Sequence, residues 1–315
     1  MLQASGGASL PIDMWIVGID EAGYGPNLGP LLQAAVALHL PDDDPAGWGA
    51  LKSLVRRTHE KADGRLLIDD SKKVYGRGGL EALERGVFCG LARSFLRLSE
   101  IVESLILESQ RGELAEEAWY DGGHPLPCES WERFETALPE FTPVVSLVPS
   151  PRFNRICDEF DSKGAVLARG VIELMPAALI AISDDGHPIS FVCDKQGGRN
   201  FYAAMLQQAF PDGWVVVERE SAAESRYRID GLDRPISVVF RPRADGDSVC
   251  VALASMLCKY LREVCMKQFN AFWSKHVPGI APTAGYPGDS RRFYEQIKPA
   301  MAKLGLSEDQ VWRKR

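Results

Sequence analysis

No C-x-x-C pair occurs among the seven cysteines, and their odd number leaves no complete disulfide framework. Such usage fits a reducing compartment and leaves no thiol zinc site in view. Cys250, Cys258 and Cys265 recur at helical spacing and read as small core residues. Positive charge is not in excess either: the formal net charge is −7. That excludes broad, non-specific nucleic-acid binding, which relies on many phosphate contacts by Lys and Arg, but leaves room for a local basic groove around an acidic centre. Uninterrupted apolar runs are missing too. The most apolar window, Ala165 to Ile182, is broken by Arg169 and Glu173, which argues against a membrane span. The N-terminal M-L-Q-A-S-G-G-A-S-L-P lacks a basic region and an apolar run, so no signal peptide and a cytoplasmic location are expected.

What remains is ordinary for a soluble globular chain of 315 residues, 45% hydrophobic and 25% charged. The length allows one large domain or a domain with an appendage. The stretch from Trp15 to Pro30, W-I-V-G-I-D-E-A-G-Y-G-P-N-L-G-P, organises the rest. Trp15 to Ile19 reads as a short buried strand closed by a Gly-rich turn, with Asp20 and Glu21 at its end. Neighbouring strand residues point to opposite faces, so two acids share one ion only where the backbone turns. Gly23, Gly25 and Gly29 permit such a turn and a close approach by a ligand. An ordinary polar turn accounts for the acid pair alone equally well. A dinucleotide-binding loop fits worse, because Pro26 and Pro30 spoil the helix start and a β-like run follows.

G-I-D-E-A-G-Y-G-P followed by G-P-L resembles the signature of ribonuclease HII, which usually has Arg where this chain has Tyr24. Further along, I-D-D-S-K-K carries Ser71, Lys72 and Lys73, groups able to hold phosphate oxygens. D-S-K-K resembles the family's second block. Ile189 to Cys193 reads as a strand that delivers Asp194, where the family places its third metal-binding acid. R-P-R-A-D-G-D-S and the helix after it resemble the family's segment in which an acid precedes A-A-S-I-L-A-K. Aligning Ser255 and Lys259 puts the fourth acid at Asp245, with Asp247 as the alternative and a possible helix cap. P-T-A-G-Y-P-G-D resembles the family's K-G-Y-P-T block, with Tyr286 as the junction-reading tyrosine. Ala284 replaces the family's Lys there, and Arg291 stands where His is usual.

Other elements follow from periodicity. Leu31 to Leu40 reads as a second strand in an antiparallel hairpin, with His39 as a packed histidine, not a ligand. Leu51 to His59 reads as a helix. Leu80, Leu83, Val87, Leu91, Phe95 and Leu98 form one apolar stripe in a helical insertion of about 79–137, with Tyr120 to Cys128 as an exposed loop. Thr142 to Val148, Trp214 to Val217 and Ile236 to Phe240 read as strands, the last two separated by a polar stretch. Lys163 to Ile182 reads as a helix capped by Asp161 or Ser162, Phe293 to Leu304 as another, and W-R-K-R as a small basic tail. Lys195 and Arg199 are candidates for nucleic-acid contact or for a solvated loop.

The resemblance implies an α/β, ribonuclease H-like mixed β-sheet flanked by helices. The matching motifs touch both ends of the chain and cover about half of it; the catalytic domain is expected over residues 14–270, with a small helical C-terminal segment over 271–315. Four acids packed together need a counter-charge, and hard divalent cations with oxygen ligands supply one. The resemblance implies two such ions, Mg2+ or Mn2+, held by Asp20, Glu21, Asp194 and Asp245 for in-line hydrolysis of a phosphodiester. It implies as substrate an RNA/DNA hybrid or a ribonucleotide embedded in duplex DNA, cut to 3′-hydroxyl and 5′-phosphate ends. Gly23, Tyr24, Gly25, Ser71, Lys72, Lys73 and Tyr286 would bind it, with turn backbone groups reading the 2′-hydroxyl. Rival readings are a catalytically silent nucleic-acid-binding relative using Lys72, Lys73, Arg241 and Arg243, or another two-metal nuclease such as a junction resolvase. The oligomeric state stays open, a monomer being favoured.

Overall fold

The computed structural model describes residues 13–91, 95–126, 138 and 141–314. Of residues 1–13, read from sequence as a frayed leader, 1–12 lie outside these and Asp13 opens the first strand; also outside is much of the 79–137 insertion beyond residue 126, with the Pro127–Cys128 end of the exposed loop read there.

In chain order the elements are β1 (Asp13–Ala22), β2 (Leu31–Pro41), β3 (Val55–Arg56), β4 (Leu66–Leu67), α1 (Ser71–Leu91), α2 (Leu98–Leu105), α3 (Glu108–Ala115) and β5 (Thr142–Val148). There follow α4 (Ser150–Phe160), α5 (Lys163–Ala181), β6 (Ile189–Asp194), α6 (Ala203–Ala209), β7 (Trp214–Glu220), β8 (Ser225–Asp230), β9 (Ile236–Arg241), α7 (Ala244–Asp247), α8 (Val249–His276) and α9 (Pro287–Leu304). Among the described residues, seven strands form one mixed sheet in the order β5-β2-β1-β6-β9-β8-β7. The centre is parallel, β1 beside β6 and β6 beside β9, and the flanks are antiparallel. This is the expected mixed α/β sheet flanked by helices.

Both faces of the sheet centre are covered, which is why β1 and β2 are apolar without alternation. Ile16, Leu32, Ala34, Val36 and Leu38 join one cluster with α1 and α8. Trp15, Val17, Ile19, Ala35 and Ala37 join another with α5 and α6. Every residue from Val249 to Cys258 is buried, as expected of a helix apolar all round. It lies so close to β1 that a side chain at Gly18 would collide with the Cys250–Val251 backbone, 2.2 Å from a Cβ. Only glycine allows this contact, and the contact fixes the depth at which α8 crosses below the end of β1.

Three expectations need correction. Leu51 to His59 is not helical: Leu51–Leu54 is a turn leading into β3, which pairs with β4. Arg57 fixes this path by donating to Gly246 O (2.9 Å) and Asp69 Oδ1 (3.1 Å). Leu80, Leu83, Val87, Phe95 and Leu98 do share one core, but the stripe is not carried by one helix, because Phe95–Arg97 lie outside any helix before α2 begins. Asp161 does not cap α5: it ends α4 in a left-handed conformation (φ 45°), and Ser162 holds the N-cap position of α5. The polar stretch before Ile236 contains β8, whose Ser225, Tyr227 and Ile229 point inward while Arg226 and Arg228 point out.

α5 is long and apolar enough to cross a membrane by length and composition. Here Val166, Leu167, Val171, Leu174 and Met175 pack in the core, and Arg169 pairs with Glu173 at 2.8 Å. α8 continues without a break past residue 271 to His276, and the chain then returns through α9 to Leu28, which bridges to Trp312.

Candidate active site

The three parallel strands β1, β6 and β9 end on one side, and open parallel sheets present their ligand sites at such carboxyl ends. Ile19 pairs with Cys193, so Asp20 and Asp194 are the next residues on adjacent strands. Asp194 in turn faces Arg241, after which the chain enters α7 with Asp245. Asp20, Glu21, Asp194 and Asp245 thereby line one cleft of about 590 Å3. Tyr24, Gly23, Gly25, Ser71, Lys72, Lys73 and Tyr286 line the same cleft. Asp247 does not; its side chain is exposed and lies 3.7 Å from Arg241.

β1 stays regular through Ala22, so the backbone does not turn at the acid pair itself; the turn begins at Gly23, where φ is 92°. Two buried arginines hold that turn from below. Arg313, fully buried, donates through Nη2 to Gly23 O (2.7 Å) and to Pro26 O. Arg262 of α8 packs against Gly23, where a Cβ would come within 2.6 Å of its Nε, and its Nη2 donates to Ala284 O (2.9 Å). Burial lowers the pKa of both guanidinium groups. The Asn27 N–H donates to Gly285 O (2.8 Å), which brings the next residue, Tyr286, to the cleft with 48% of its surface exposed. Arg262 lies beneath the Tyr286 ring, 5.6 Å from its centroid. The small basic tail read at W-R-K-R is docked as far as it is described: Trp312 packs on Tyr294 and Arg313 is a structural support.

On the opposite wall, α1 begins at Ser71 and sets the exposed cations Lys72 and Lys73 on the cleft, while Asp70 caps the helix, accepting the Lys72 N–H at Oδ1 (2.8 Å) and the Lys73 N–H at its carbonyl (3.0 Å). The Ser71 and Ser255 hydroxyl oxygens lie 3.0 Å apart, joining α1 to α8 beneath Asp20. Arg243 adopts a left-handed conformation (φ 60°) rare outside glycine, and the next residue's N–H donates to Asp194 Oδ1 (3.0 Å). This strain at the rim aims a backbone dipole at an acid. Lys195 is turned elsewhere, donating to Asn200 Oδ1 (2.7 Å) and Ser221 O (2.5 Å). Arg199 donates to Gly164 O (3.4 Å), at the start of α5.

The acids do not sit comfortably as bare carboxylates. Burial, then the charges of Glu21 and Asp194, raise the Asp20 pKa well above its ordinary value. Burial and Asp194 raise Glu21 to about 7, against the pull of Lys72. Asp194 is raised by burial, and Asp245 by burial and by its neighbours Asp70 and Asp194. Such a cluster either takes up protons or accepts a cation. The donors are all oxygen, with no imidazole or thiolate, which suits a hard divalent ion such as Mg2+ or Mn2+.

No family model matches the sequence, and no curated protein matches it. Among solved structures, the ribonuclease H2 of Pyrococcus horikoshii is similar at 15% identity and TM-score 0.41, over 95% of this chain and 92% of that one. The ribonuclease HII of Archaeoglobus fulgidus, solved as its complex with PCNA, gives 16% and 0.43, over 96% and 95%. A ribonuclease HIII designated Bst, solved with Mn2+, gives 16% and 0.44, over 96% and 66%. The chemistry of the cleft has to be argued from its own residues.

Some of those residues escaped sequence reasoning. Asp70 is a further carboxylate on the cleft; its signal was its place beside Ser71, but Asp69 and Asp70 look alike in sequence. The structure separates them. Asp69 is buried and spent on Arg57 and on the Thr58 hydroxyl and N–H, whereas Asp70 faces Asp245. Ser255 and Lys259, which served only as alignment points, also line the cleft.

Proposed function

We propose that this protein is a divalent-metal-dependent endonuclease of the ribonuclease H type. It hydrolyses the RNA strand of an RNA/DNA hybrid, or cuts at a ribonucleotide embedded in duplex DNA, leaving 3′-hydroxyl and 5′-phosphate ends. The observation that carries the reading is the gathering of Asp20, Glu21, Asp194 and Asp245 in one cleft whose rim bears Lys72, Lys73 and two tyrosines. Mg2+ or Mn2+ held by these acids would supply water activation and stabilise the leaving oxygen of an in-line displacement.

The chain's own residues have separable tasks. The four carboxylates bind and orient. Lys72 and Lys73 attract backbone phosphates. Gly23 and Gly25 let the turn's backbone groups approach a 2′-hydroxyl, the group that distinguishes RNA from DNA. Tyr286 offers an exposed ring to a sugar or base beside the cut. A silent binding relative has no use for mutually repelling acids, since a ligand as anionic as nucleic acid is disfavoured by them.

The deciding experiment incubates purified protein and Mg2+ with three matched duplexes: all-DNA, DNA with a single ribonucleotide, and a continuous RNA/DNA hybrid. Cleavage of either ribonucleotide-bearing substrate, with the all-DNA duplex intact, is the expected result. Cutting of a branched DNA added as a fourth substrate, with the three duplexes intact, would make the protein a resolvase, and binding without cutting would make it a silent relative.

A further inference from the structure

At the far end of β1 from the acids, three side chains that the catalytic reading leaves unused come together. His39 is on β2 opposite Trp15, and Asp185 and His187 belong to the turn that leads into β6. His39 Nε2 lies 2.9 Å from His187 Nδ1, and His187 Nδ1 lies 3.3 Å from Asp185 Oδ2. One ligand atom from each lies within 4.8 Å of the others. Among the described residues this is where such atoms of His, Cys, Asp or Glu converge so closely. His39, expected from sequence to be a packed histidine, presents its ring nitrogen to two other ligand atoms.

The surroundings are built to hold this geometry. Trp15 Nε1 donates to Asp185 Oδ2 (2.9 Å). The His187 N–H (3.0 Å) and Arg234 Nη2 (2.9 Å) donate to Asp185 Oδ1. Arg234 also donates to His187 O (2.9 Å) and Ser183 O (2.8 Å), tying both ends of the turn. Its charge therefore lies against the oxygen that faces away from the rings. Metal-binding carboxylates are commonly oriented by outer partners of this kind. The His187 nitrogen that faces His39 Nε2 also faces Asp185 Oδ2, so one atom is set between the two other candidate ligands. A cation would satisfy all three lone pairs at once.

We propose that His39, Asp185 and His187 form a second metal site, separate from the cleft, that takes Zn2+ or an ion of the same class. Two imidazole nitrogens and one carboxylate oxygen match the borderline-soft ions that prefer nitrogen, and water would complete a tetrahedral set. Mg2+ is selected against, because it prefers oxygen throughout. The site clamps the 183–188 turn to the exit of β2. Trp15 and Asp20 are five residues apart on one strand, roughly 17 Å, so the two centres load independently.

The test titrates the full chain with Zn2+ in excess Mg2+, by calorimetry and by thermal unfolding, and with Co2+ by its visible d–d absorption. One equivalent should bind, and tenfold excess over the dissociation constant should raise the unfolding midpoint by about 2 °C. Binding should disappear in His39→Gln and Asp185→Asn and persist in Asp20→Asn. His187→Gln, on the more exposed turn, serves if His39→Gln does not fold. No stoichiometric Zn2+ binding by the wild type would reduce the trio to a hydrogen-bonded chain. Undiminished binding in the histidine variants, or loss in Asp20→Asn alone, would place the ion elsewhere and overturn the proposal.

Discussion

Lys163 Nζ lies over the Tyr24 ring, 4.7 Å from its centroid. Tyr24 stands where ribonuclease HII usually carries Arg, so a cation reaches the cleft rim from the start of α5 instead of from the turn. The contact is a cation–π pair, and Phe153 supports the same ammonium from 6.0 Å. A cation therefore stands beside the turn although Tyr24 itself carries no charge.

Lys163→Ala should therefore weaken substrate binding at low salt and reduce the slope of log binding against log salt by about 0.9, one phosphate contact. The preference for a ribonucleotide should survive, because the turn's backbone is untouched. Tyr24→Arg should tighten binding less than a new charge would on open surface, because the Arg must share the rim with Lys163. KM for the single-ribonucleotide duplex across a salt series measures both. An unchanged slope in Lys163→Ala would remove the residue from the binding surface.

Replacing an acid should trade stability against turnover. Asp20→Asn removes a charge that burial, Glu21 and Asp194 all oppose, so the metal-free protein should melt higher at pH 7. Cleavage should fall by more than ~10²-fold, beyond the loss typical of outer-shell changes. Asp245→Asn should do the same, whereas Asp247→Asn, exposed beside Arg241, should leave turnover within about twofold. Activity lost only in the Asp247 variant would move the fourth acid.

The pH dependence has a worked sign. Glu21 and Glu117 are each raised to about 7, both chiefly by burial, Glu117 despite its bond from Trp119 Nε1. The folded state then holds protons that the unfolded state has released, so stability is greatest below about pH 4.5 and is lost as pH rises through about 7. Excess Mg2+ should suppress the share due to Glu21. Glu117→Gln should flatten what remains and raise the melting midpoint at pH 8. Thermal melts from pH 5 to 8, with chelator and with Mg2+, separate the two groups.

Arg313→Ala should cost about 3 kcal/mol, because the Gly23 and Pro26 carbonyls would be left buried without a donor. Mg2+ affinity should fall with it, since the turn that follows the acid pair loses its floor. Denaturant unfolding and Mg2+ calorimetry test this together. A stable variant with normal Mg2+ affinity would show that Arg262 alone supports the turn.

How much of this was readable in advance depended on where each residue's partners lie. β1, β2, β5 and β6 show as apolar runs because α8 and α5 cover both faces of the sheet there, and the acids stand out as the charges that end those runs. β8 was hidden because Arg226 and Arg228 occupy its outward positions and break the apolar signal. Leu51–His59 had helical spacing, but Arg57 is claimed by Gly246 O, 189 residues away, and by Asp69. The guanidinium supports were the least legible. Arg262 and Arg313 bond to backbone carbonyls, which leave no complementary side chain in the sequence to suggest a partner.

The support from Arg313 also sets an order of events. Gly23 and its donor are 290 residues apart. On the ribosome, where N-terminal parts fold first, the acid pair emerges early and hangs on an unfinished turn. A nascent chain can build the β1–β2 hairpin yet still lacks the guanidinium that holds the turn. Metal capture at the proposed site would thereby wait until residue 313 has emerged and docked, a late step of biosynthesis.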